Sequence, residues 1–270
     1  MAIIPSFYLD AVVSIGVWNN TKPVWIGTGF FVVRKINKNG DGRPFLVTNR
    51  HVLLDTDMIV IRMKEKDSER VKEIEAPLFE NGKPLYTLHS NPKIDIAVLP
   101  LNGSFIQENN LEFPCFDIDE NAMISCTLLE NGIDEGSLVY MLGFPMGLVN
   151  LSSNLPICRL GCVARLSAEQ IAESYNFLVD IQNFPGNSGS PIITRPEILS
   201  IEGTKSLNQS VLMGIVHSYI PYRESLINSQ TKEIVEIRSE NSGLANVHPV
   251  EYILELIDSI QPQMDLTTEE

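Results

Sequence analysis

Phe177–Gln182 reads FLVDIQ and Phe184–Ile193 reads FPGNSGSPII, so an apolar strand runs into a glycine-flanked serine and out again through PIIT. Ser188 stands between Gly186 and Gly189 in that reversal. A serine between glycines on a tight turn can present a hydroxyl and neighbouring backbone N–H groups at one point, which is what acyl transfer requires. Glycine, asparagine, serine and proline are also the ordinary residues of a β-turn, so the stretch taken alone is equally a plain reversal.

Two upstream stretches separate these readings. FLVTNRHVL (Phe45–Leu53) sets His51 at the end of one apolar strand, and KIDIAVLPL (Lys93–Leu101) sets Asp95 at the head of another. A carboxylate heading an apolar strand needs a buried partner to offset its desolvation, and a protonated histidine is one. In the order His, Asp, Ser, with separations of 44 and 93 residues, the three resemble the triad of the chymotrypsin-like serine peptidases. TGFFVV before the histidine, LGFPMGL (Leu142–Leu148) and GIVHS after the serine extend the resemblance over most of the chain. GNSG and TN-x-H bring it nearest to the HtrA-type and glutamyl endopeptidase branch.

The resemblance implies an all-β chain of two antiparallel six-stranded barrels with a C-terminal α-helix, acting as a serine endopeptidase on protein or peptide substrates. Ser188 would be the nucleophile and His51 the general base, with Asp95 orienting the imidazole. The N–H groups of Gly186 and Ser188 would form the oxyanion hole. Gln182 would floor the specificity pocket, with Asn183, Phe184, His217, Ser218 and Tyr219 as neighbours. No carboxylate stands at that floor, so a preference for Lys or Arg is not expected, and Tyr219 implies a shallow pocket. Digestive members carry an aspartate just before the serine that pairs with a newly cut N-terminus. Asn187 stands there and cannot form that ion pair, so activation by cleavage is not expected. HtrA-type relatives continue into a peptide-binding domain, which is not expected here, while a separate regulatory partner protein stays open. The alternative, from another class, is an inactive homologue or peptide-binding module using the same cleft. An esterase with the same triad is disfavoured because the G-x-S-x-G elbow is absent.

Patterning along the chain supports the two-barrel expectation independently. Residues 7–16 and 24–34 read as an opening hairpin, and Asn37–Gly42 (NKNGDG) as a turn. Met58–Met63 and Ile74–Leu78 read as strands around a charged loop, KEKDSER. Asn102–Asn131 reads as a link between barrels, and ICRLGCVARL, NFLVDIQ and VLMGIVHSYI supply later strands. The expected units are residues 1–115 with His51 and Asp95, 116–247 with Ser188, a helix over 248–262, and a disordered tail at 263–270. The helix rests on VEYILELIDSI, apolar at helical spacing after Pro249.

Composition excludes other classes. With 44% hydrophobic and 20% charged residues in 270, the chain can bury a real core. A net charge of −14 argues against nucleic acid or an anionic membrane as partner. The N-terminus carries Asp10 among its apolar residues and no early cation, unlike a signal peptide, and no run of about 18 apolar residues occurs. Together with the resemblance, this implies a cytoplasmic, bacterial enzyme without metal or cofactor. Cys115, Cys126, Cys158 and Cys162 show no C-x-x-C pair and are expected to be reduced and mostly buried, with a structural zinc site as the sharper alternative.

Overall fold

The computed structural model describes residues 4–36, 41–68, 70–150, 152–197, 205 and 207–260. Most of the expected NKNGDG turn and the whole 263–270 tail lie outside these residues.

The chain opens with a short helix, α1 (Ser6–Asp10), where residues 7–16 read as strand throughout. Tertiary contacts decide this: Tyr8 is buried, its ring lies 4.6 Å from Phe116, and its hydroxyl donates to the Ser210 carbonyl at 2.6 Å. Then come β1 (Val12–Asn19), β2 (Lys22–Lys35), β3 (Gly42–Thr48), α2 (Arg50–Leu53), β4 (Met58–Lys64) and β5 (Val71–Pro77). A two-stranded ribbon, β6 (Phe79–Glu80) and β7 (Lys83–Pro84), precedes β8 (Thr87–Leu88) and β9 (Ala97–Pro100). The linking region contains α3 (Gly103–Glu108), β10 (Phe116–Asp117), α4 (Ile118–Asn121) and α5 (Ser125–Glu130).

The first sheet runs β5-β4-β1-β2-β3-β9-β8, with β10 added parallel to β2. This half carries more strands than the expected six, and no pairing joins β5 to β8 among the described residues; with the closed second half the architecture is nevertheless consistent with the expected two-barrel fold. The second half does close with six strands, β11 (Leu138–Gly143), β12 (Ile157–Arg165), β13 (Phe177–Asp180), β16 (Ile234–Pro249), β15 (Leu212–Ile227) and β14 (Pro191–Thr194), in that circular order. Between β12 and β13 lies α6 (Ala168–Ser174), and α7 (Val250–Ile260) ends the described chain.

Strand parity explains why the decisive stretches are continuously apolar. Phe31, Leu46, Ala97 and Leu99 point into the core of the first sheet. The alternate residues Phe30, Phe45, Val47 and Val98 face a second core, shared with Leu142, Phe144, Ile193 and Ile215 of the closed barrel. Strands covered on both faces lose the polar half of their alternation. The same shared core receives Val250, Ile253, Leu256 and Ile257 of α7, whose apolar stripe bridges both halves. Each such fully buried side chain contributes about 1.5–3 kcal/mol, so the halves are fastened together along the cleft they form.

Strands β15 and β16 continue beyond the barrel as a paired ribbon, exposing Ile227, Ile234, Val235 and Ile237. Parity also corrects the cysteine expectation. Cys158 is exposed and Cys162 half-buried, because even positions of β12 face outward while Val163 faces the core. Cys126 is exposed, Cys115 is half-buried, and all four are free thiols.

Candidate active site

His51 sits in α2, one helical turn directly after β3, and Asp95 sits immediately before β9 between the buried Ile94 and Ile96. Pairing of β3 with β9, Thr48 opposite Ala97, brings the two residues together. Asp95 Oδ1 accepts the backbone N–H of His51 at 3.0 Å, and Oδ2 lies 2.5 Å from His51 Nδ1. The Asp95 carbonyl accepts from Asn49 Nδ2 at 2.8 Å and from the Arg50 N–H at 3.3 Å. Burial alone pushes the Asp95 carboxyl up, yet the hydrogen bonds and charge of His51 outweigh it and hold the carboxyl below its ordinary value. A carboxylate on Nδ1 makes that nitrogen the donor, so Nε2 is the proton acceptor of the neutral ring.

The Ser188 turn is anchored from the first sheet. Thr28 N–H donates to the Ser188 carbonyl at 2.8 Å, and the buried Thr28 hydroxyl donates to the Gly186 carbonyl at 2.7 Å while accepting the Phe144 N–H at 3.1 Å. Thr48 Oγ1 in turn donates to the Thr28 carbonyl at 2.8 Å. Two further bonds orient the peptides of the turn. The Pro185 carbonyl accepts from Met146 N at 2.5 Å, and the Asn187 carbonyl accepts from Ser190 N at 2.9 Å. In a trans peptide the N–H points opposite to the C=O. Gly186 N–H and Ser188 N–H are therefore turned away from those acceptors, and neither has a protein partner among the described residues.

Glycine is required at position 186. Its φ is +95°, and a Cβ there would lie 2.4 Å from the Phe144 carbonyl oxygen. Asn187 is buried, with neither side-chain amide atom hydrogen-bonded, and packs where a Cβ on Gly143 would touch it. No hydrogen bond joins His51 Nε2 to Ser188 Oγ; catalytic bonds of this kind often tighten only when substrate binds.

Of the expected pocket residues, Gln182 is exposed. Asn183 is buried, and its amide donates to the Ser218 carbonyl at 3.0 Å. Its own carbonyl accepts from Asn241 Nδ2 of β16. Phe184 is half-buried under the Arg159 guanidinium, 5.1 Å from the ring centroid, and Tyr219 is 37% exposed. His217 turns Nε2 to Asn176 Oδ1 at 2.8 Å and stacks on His248, with ring centroids 4.0 Å apart.

Thr28, Asn176, Asn241 and His248 escaped sequence reasoning. Only Thr28 carried a signal, as the first residue of the TGFFVV stretch. His248 is wholly buried and accepts the Asp95 N–H on Nε2 at 2.9 Å, across 153 residues. Among the described residues no group of three or more His, Cys, Asp or Glu is arranged to hold a metal ion. No helix there is long and apolar enough to cross a membrane.

No curated protein matches the sequence. Among solved structures the chain resembles the MamO protease domain from Magnetospirillum magneticum in its apo form. The two share 14% identity, with 92% of this chain and 95% of that one covered, at a TM-score of 0.42. The model of the trypsin-like peptidase domain matches residues 27–197, a span that contains His51, Asp95 and Ser188. With more than half its length in that match, the chain belongs to the trypsin-like peptidase domain family.

Proposed function

We propose that the chain is a serine endopeptidase in which Ser188, His51 and Asp95 act together on a peptide bond. The observation that carries this reading is the pair of N–H groups, on Gly186 and Ser188, that flank Asn187 in the serine turn and have no protein partner among the described residues. His51 removes the Ser188 hydroxyl proton through Nε2 as Oγ attacks the carbonyl carbon. The C=O electron pair moves to oxygen, where the two N–H groups stabilise it. His51 then returns the proton to the departing amine, leaving an acyl-enzyme that water cleaves by the same steps. Asp95 stays ionised, orients the ring and stabilises the imidazolium.

For specificity the reading is a shallow site without a basic preference. No carboxylate lies among Gln182, Asn183, Phe184, His217, Ser218 and Tyr219, so a bound Lys or Arg would have no counter-charge there. The kinship with the HtrA-type and glutamyl branch rests on the GNSG and TN-x-H motifs alone. A second reading, a cleft that holds peptide without cutting it, is favoured by the missing bond between His51 Nε2 and Ser188 Oγ. Labelling with a fluorophosphonate, wild type against Ser188→Ala, decides between them. Modification mapped to Ser188 alone is the expected result. A folded wild type that stays unlabelled while binding peptide would establish the second reading.

A further inference from the structure

Resting on the reading that Asp95 and His51 act on Ser188, we propose that His248 is a positioning residue. From the second barrel its imidazole accepts the Asp95 backbone N–H and so sets where the carboxylate behind His51 stands.

Asp95 is held from two sides. Its carbonyl and carboxylate are bonded by Asn49, Arg50 and His51, all at the end of β3 and the start of α2. Its N–H alone crosses to the other half, to His248 Nε2 at the end of β16. Without that anchor the residue would pivot about its first-sheet contacts and carry a buried N–H without a partner.

The acceptor role requires a neutral ring protonated on Nδ1, and the surroundings impose that form. His248 Nδ1 lies 2.8 Å from the Tyr175 carbonyl, which can only accept, so Nδ1 carries the proton and Nε2 the lone pair. Tyr175 is a left-handed residue at φ 61° closing α6, a sparsely populated conformation for a side chain of that size. The next residue, Asn176, accepts from His217 Nε2, so one helix end sets the tautomer of both stacked rings. The rings lie nearly parallel, at 10°. Two protonated imidazoles in that contact would repel each other.

The charged and titratable groups around the pair are consistent with a neutral state. Asp95 faces both rings and favours their protonation, while His89, itself bonded to Glu255, and His51 oppose it. Tyr252 meets His248 edge-on, and Lys93 reaches only the outer side of Tyr175. Burial dominates, followed for His217 by the neighbouring His248, and holds His217 down to about 3 and His248 below its ordinary value. Across the neutral range His248 thus remains an acceptor. A protonated ring would set Nε2–H against the Asp95 N–H.

Two substitutions separate positioning from packing. His248→Asn keeps an amide N–H near the Tyr175 carbonyl but withdraws the acceptor from Asp95, whereas His248→Gln reaches the Nε2 position with an oxygen. In H248N the expected result is a fall in kcat of about ten- to a hundredfold with KM nearly unchanged, as for a displaced catalytic group. The acid limb of kcat/KM should also move to lower pH, because a displaced carboxylate stabilises the protonated imidazole less. The downfield proton resonance of the His51–Asp95 hydrogen bond should shift or vanish. H248Q should retain the resonance and most of kcat. The proposal is overturned if H248N keeps both the resonance and the acid limb of the wild type, or if both variants lose kcat equally with the resonance unmoved. A wild type unlabelled at Ser188 would defeat the peptidase reading instead. The resonance needs no turnover, so comparing it in wild type and H248N still judges the positioning.

Discussion

Replacing Gly186 by alanine tests the nucleophile turn where its geometry is tightest. The added Cβ would sit 2.4 Å from the Phe144 carbonyl oxygen, 3.0 Å from Met146 N and 3.2 Å from Gly147 N. All three are backbone atoms, so no side chain can swing aside, and the φ of +95° is one that L-residues avoid. Holding alanine there costs about 1–3 kcal/mol. The cheaper response is to rotate the Pro185–Gly186 peptide, breaking its bond to Met146 and turning the Gly186 N–H out of the cleft. Loss of one such donor costs about 2.7–4 kcal/mol in the transition state, or roughly 10²–10³ in kcat. The assay is the second-order rate of fluorophosphonate labelling, with thermal unfolding alongside. Slowing by about two orders of magnitude or more, with only a modest fall in Tm, is expected. Labelling of G186A at the wild-type rate would refute the assignment of this N–H to the oxyanion.

Asp95→Asn should lower kcat by about 10⁴ with a far smaller change in KM, the size seen when the imidazole tautomer is lost, checked by peptide hydrolysis under saturating substrate. Thr28→Val strips the hydroxyl that joins Gly186 to Phe144, leaving two buried backbone groups unpaired at about 1–3 kcal/mol each; both Tm and labelling rate should fall, and an unchanged rate would show that the staple does not set the turn. Acid should destabilise the fold through the histidine pair. Both folded-state values lie below the unfolded value of about 6.5, so the unfolded chain binds more protons as pH falls below that point. Each group then removes up to about 1.4 kcal/mol per pH unit, in a window that for His217 extends down to about 3. Denaturant unfolding between pH 6 and 5 should show a shallower loss in His217→Gln than in the wild type, and equal slopes would contradict the buried neutral pair.

Much of the site was legible because its chemistry is local. Gly186, Ser188 and Gly189 lie within four residues, and an apolar strand followed by histidine or headed by aspartate is a pattern that burial and desolvation impose on a short stretch. For Gln182 the count back from the serine gave a position but not an environment, and which side of the chain faces solvent came only from the packing. The exposed Cys158 and half-buried Cys162 of β12 were misjudged because strand parity cannot be read from sequence alone. Their parity depends on which face of the strand the barrel encloses, and that follows from pairing with β11 and β13.

What the amino-acid order indicated by itself was therefore most of the main strands, the closing helix and the glycine turn around Ser188, with His51 and Asp95 as its proposed partners. These follow from alternation, helical spacing and turn chemistry, all of which act over a few residues. Tertiary structure alone decided what holds that chemistry in place. Thr28 meets Gly186 across 158 residues and His248 meets Asp95 across 153. Such contacts leave no periodic trace, because a single threonine or histidine satisfies a distant backbone group without altering the pattern of its own strand. The open edge of the first sheet and the ribbon beyond the second barrel are likewise products of strand pairing, which is settled only when the whole chain has packed.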